Sequence, residues 1–154
     1  FREYYQLGKK NTIQVFDNLT IEDADDVTIQ ESTLTDYEKI IVYISSDRLD
    51  AIIGNEDTLN YYKSTGDIAM VDQCMDEDLY QEIKDHIVKV TDDTQYMNDG
   101  KPYAAAIDIS DTEFAKKCQF SYDTVYLMIP NNRYVNNEAT MRLIRMIFGI
   151  ENAG

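Results

Sequence analysis

Apolar residues in this chain come only in short runs, and each run is closed by residues that end regular structure. Ile40–Ile44 is followed by Ser45-Ser46-Asp47, Ala51-Ile52-Ile53 by Gly54-Asn55, and Val125–Ile129 by Pro130-Asn131. Runs this short are strand-length or one helix face, far below the about 18–20 residues that cross a bilayer. The punctuation therefore predicts short strands alternating with short capped helices around one core. At 154 residues there is material for one such domain and no second lobe of similar size. Hydrophobic residues at 44% and charged residues at 28% are enough for a core and exclude a disordered chain. The expected organisation is a lead-in over residues 1–10, a single α/β domain over 11–149 and a tail over 150–154.

Charge narrows the partners. Asp and Glu number 29 against 14 Lys and Arg, a formal net charge of −15. Such an excess repels phosphate backbones and anionic headgroups, so nucleic-acid binding is excluded as an expectation. A cationic ligand or a basic protein surface is favoured instead, with affinity that weakens as salt rises. Residue 1 is Phe, which reads as a processed or excised chain whose signal or anchor lay upstream. Cys74 and Cys118 belong to no CxxC or Cys/His cluster, and two free thiols or one long-loop disulfide both fit the sequence. His86 is the single histidine, so a triad or multi-histidine metal site has no material. No cofactor and no metal are expected.

Along the chain, Phe1–Lys10 suits a short helix or fraying lead-in, and Ile13–Phe16 and Val27–Glu31 alternate as strands do. Between them Glu22, Asp23, Asp25 and Asp26, with nearby Asp17, lack the glycine and closing glutamate of a calcium-binding EF-hand, and read as a solvated loop. Ile40–Ile44 is β-branched, yet Thr35-Asp36-Tyr37-Glu38 forms a capping box, and Tyr37, Ile40, Ile41 and Ile44 fall on one helical face. Capping chemistry decides for helix. Arg48–Ile53 is expected as a strand that Gly54 ends, and Asn55 as the cap of a helix through Leu59 and Tyr62. Ile68–Val71 is expected as a strand, and Asp76 or a neighbour as the cap of a helix over Leu79 and Ile83 that can extend to His86. Val88–Val90 and Tyr103–Ile109 read as strands joined by a polar loop with the turn Asn98-Asp99-Gly100. A second capping box, Ser110-Asp111-Thr112-Glu113, opens a helix to Cys118. Val125–Ile129 is a strand, and the last helix runs from Asn136 or Asn137 to Gly149.

Read in this order, Asp36 to Gly149 resembles the extracellular solute-binding proteins of bacterial importers, in particular small, lipoprotein-like, membrane-anchored variants. Four stretches carry the likeness. Ser46-Asp47-Arg48-Leu49-Asp50-Ala51-Ile52-Ile53-Gly54 is similar to the family's acidic turn and strand ahead of a cap such as Asn55-Glu56. Thr58 through Asp72, which includes Tyr61-Tyr62-Lys63-Ser64-Thr65-Gly66, is similar to its short helix, glycine and edge segment. Asp99-Gly100-Lys101-Pro102-Tyr103-Ala104-Ala105-Ala106-Ile107 resembles its D-G-K-x-Y-G-I hairpin, and Val125–Pro130 its strand ahead of a C-terminal helix. The resemblance implies a single three-layer lobe with a mixed sheet, like that of periplasmic binding proteins. It further implies a non-catalytic binding or accessory role outside the cell, tethered to the bacterial membrane. Family members bind solute between two lobes and this chain can build one; the tryptophans that grip sugars in many relatives are absent.

In open α/β folds ligands sit beyond the C-terminal ends of parallel strands, which singles out Asn55, Glu56, Asp72 and Gln73 as candidate ligand-binding residues. Each also suits a cap or a turn. A rival reading is a carboxylate-based hydrolase using Asp50 with Asp72, or Asp108 with Asp111, since glycoside hydrolysis needs two carboxyls at a set separation. Twenty-nine acids make accidental pairs common, and no other catalytic signature accompanies them. A third reading is a structural, oligomerising module whose tyrosines, 12 in all, and methionines form an interface. Packing at the core edge explains the tyrosines as well.

Overall fold

A computed structural model describes residues 31–46, 48–91, 98–131 and 138–150. Helix α1 (Glu31–Ser45) leads into strand β1 (Ile52–Gly54) and helix α2 (Glu56–Tyr62), then a 3-10 turn at Val71–Gln73 and helix α3 (Glu77–Ile83). A second 3-10 turn, Lys84–His86, passes to β2 (Ile87–Val90), which pairs with β3 (Tyr103–Asp108). Helix α4 (Glu113–Cys118), strand β4 (Tyr126–Met128) and helix α5 (Glu138–Phe148) complete the order. The lead-in 1–10, the expected strand Ile13–Phe16, the acidic loop, residues 27–30 of the expected second strand, most of the 92–101 loop and the first residues of the last helix lie outside the described residues.

Among the described residues the strands form one four-stranded sheet in the order β1-β4-β3-β2, and every pairing there is antiparallel. This corrects the expected mixed sheet. The mixed sheet is implied by the resemblance, and Ile68–Val71 is expected as one of its strands. Instead that segment makes a single antiparallel bridge, Ile68 to Pro130, held by Ala69 N–H to Ile129 O at 2.7 Å and Asn131 N–H to Asp67 O at 2.9 Å. It then turns into the 3-10 turn at Val71. The neighbour of β1 is accordingly β4, supplied from the far end of the chain.

Alternation along the strands divides the core between two faces. Val125, Leu127 and Ile129 point to one side, where Leu79 and Ile83 of α3, Ala115 of α4, and Ile144 and Ile147 of α5 cover them. Met128 points to the other, with Ile40 and Ile44 of α1 and Leu59 and Tyr62 of α2. Helices thus lie on both sides of the sheet, giving three layers. Each fully buried aliphatic in either cluster contributes about 1.5–3 kcal/mol relative to exposure. On β3 the alternation slips: Ala105 and Ala106 both face the α1/α2 side, because the register against β2 shifts between Val88 and Lys89. A bulge of this kind puts two neighbours on one face, and alanine side chains are small enough to fit there.

Capping chemistry explains most boundaries. Asn55 Oδ1 accepts from Thr58 N at 3.1 Å and opens α2; Asp76 Oδ1 accepts from Leu79 N at 2.8 Å and opens α3. Gly149, at φ 67°, closes α5 with its N–H on Met146 O while Ile150 N–H reaches Arg145 O, a Schellman ending. Ile150 packs against the core. Four expectations shift. Glu31 belongs to α1 and not to a strand, so the Thr35 capping box lies inside that helix. Strand β1 starts only at Ile52; Arg48 instead lays its guanidinium over the Tyr43 ring at 5.3 Å. His86 sits in the 3-10 turn, its ring 4.9 Å from that of Phe148. Helix α4 is capped by Thr112, whose Oγ1 accepts from Ala115 N at 3.1 Å, and not by Ser110.

Candidate functional site

Antiparallel register lines up three residues across the end of the sheet. Gly54 of β1 stands opposite Tyr126 of β4, and Tyr126 opposite Asp108 of β3. Directly opposed residues have Cβ atoms about 5 Å apart, so the Tyr126 ring is flanked by what its neighbours carry. On one side is the Asp108 carboxylate. On the other, Gly54 carries no side chain, and the chain passes through Asn55 to exposed Glu56 at the start of α2.

Each carboxylate is positioned by local chemistry. Asp108 Oδ1 accepts from Ser110 N at 2.9 Å and from Ser110 Oγ at 2.5 Å, while Ser110 Oγ in turn accepts from Val125 N at 2.9 Å. These contacts tie the end of β3 to the residue before β4. Glu56 occupies the first turn of α2, where the helix dipole favours negative charge. The phenol of partly buried Tyr126 is pushed above its ordinary pKa, first by burial, then by Asp108 and by Glu56. The same negative field that resists a phenolate attracts a cation, and the ring offers a face for one.

Of the four sequence candidates, Glu56 belongs to this row. Asn55 adjoins it but is engaged as the cap of α2, accepting from both the backbone and the hydroxyl of Thr58. Asp72 and Gln73 sit elsewhere, exposed on the Val71–Gln73 turn, which packs against β3. Gln73 Nε2 donates to Met70 Sδ at 3.4 Å, and Asp72 adds to the burial that raises the Cys74 thiol to about 11. No hydrogen bond or ion pair among the described residues joins that turn to Asn55 or Glu56. The parallel strand ends that motivated all four do not exist in an antiparallel sheet.

Sequence reasoning missed Tyr126 and took Asp108 only as a partner for Asp111. Asp111 is exposed, and Asp108 is turned into the Ser110 brace. The other proposed pair is split between the approach to β1, where Asp50 is exposed, and the 3-10 turn carrying Asp72. The alternation of Val125–Ile129 marks Tyr126 as facing away from Leu127, but what stands beside it depends on strand order, a non-local property. Cys74, buried, and Cys118, exposed, are both thiols outside any disulfide, which decides between the thiol and disulfide alternatives. Among the described residues no group of three or more His, Cys, Asp or Glu side chains is placed to hold a metal ion. No helix among them is long and apolar enough to cross a membrane. No protein-family model, no curated protein and no solved structure matches the chain.

Proposed function

We propose that this chain is a non-catalytic binding or accessory domain that recognises a cationic ligand or a basic protein surface at the Glu56–Tyr126–Asp108 row. The observation that carries this reading is the register that sets Asp108 opposite Tyr126, whose phenol is raised by burial and then by Asp108 and Glu56. A net charge of −15 supports it by drawing cations toward the whole surface. The finer proposal, resting on the resemblance described above, is a single lobe similar to that of a bacterial solute-binding protein, anchored outside the cell. The helix layers on both faces of the sheet are compatible with it, whereas the antiparallel strand order is not what the resemblance implies.

A thermal-shift panel of sugars, amino acids, polyamines and divalent cations tests the binding claim. A ligand at about 100 times its Kd stabilises the folded state by about 2.7 kcal/mol, which is readable as a shift in melting temperature. The expected result is a shift with a polyamine that added salt abolishes and that Glu56→Gln and Asp108→Asn each cut by half or more. Asn at 108 still offers an oxygen to Ser110, so the fold survives the change. Shifts in both variants equal to the parent's, or silence across the panel, contradict the proposal.

A further inference from the structure

We draw no further inference here: the strongest candidate, the outward face of α1 at Ile41 and Val42, is an apolar face and nothing in the structure shows what covers it.

Discussion

Gly54 shows how tightly a single residue is held at the proposed site. A Cβ built on it would lie 2.6 Å from Thr58 Cβ and 2.7 Å from Thr58 Cγ2, in a helix whose cap depends on that same threonine. Gly54→Ala should therefore lower stability by about 1–3 kcal/mol through overpacking, seen as an earlier midpoint in denaturant. An unchanged midpoint would mean that β1 and α2 approach less closely. Cys74 gives a second residue-scale expectation. Its thiol is raised from 9.0 to about 11 by burial and by Asp72, so between those values the folded state holds a proton that the unfolded chain releases. The resulting stability is complete below pH 9 and is lost as the pH rises toward 11. Tyr61, Tyr122 and Tyr126 are raised too and act with the same sign, so the informative quantity is a difference. Denaturant midpoints should fall less steeply from pH 9 to 10.5 in Cys74→Ala than in the parent; parallel slopes would contradict the assignment.

At the scale of elements, α3 and α5 are joined through one carboxylate. Asp76 caps α3 and also accepts from Arg145 Nη2, at 3.3 Å to each of its oxygens, with the Arg145 side chain only 13% exposed. Asp76→Ala removes the cap and the bridge together and should cost about 1–2 kcal/mol. Asp76→Asn keeps an acceptor for Leu79 N and gives up only the charge, so its loss should be the smaller of the two. Thermal melts of both variants check the order, and equal losses would show that the charge outweighs the cap. Asp76, Asn55 and Gly149 were legible in the sequence because a cap is a contract between residues three or four apart. Ser110 was misread for an instructive reason: its hydroxyl is engaged by Asp108 and Val125, the second fifteen positions away, leaving Thr112 to cap α4. Strand pairing defeated local reading more thoroughly. Val125–Ile129 announces a strand, but nothing within it says that β1 lies on one side and β3 on the other.

For the molecule as a whole, strands alternating with helices were readable from the periodicities, whereas helix layers on both faces of a sheet were implied only by the resemblance and the direction of the strands was not readable. The candidate site was half legible for the same reason. Glu56 was singled out on parallel strand ends that the described sheet lacks, and its association with Tyr126 and Asp108 exists only once three distant strands are in register. The large negative charge complicates any binding test, since a cation will associate weakly with carboxylates everywhere and be displaced by salt. Affinity alone cannot separate that background from recognition, so location must. The most direct measurement is a polyamine titration followed by backbone amide chemical shifts at near-physiological salt. Recognition at the row predicts changes concentrated at Gly54–Glu56, Asp108–Ser110 and Tyr126; small shifts scattered over all the acidic segments, or none at these residues, would contradict it.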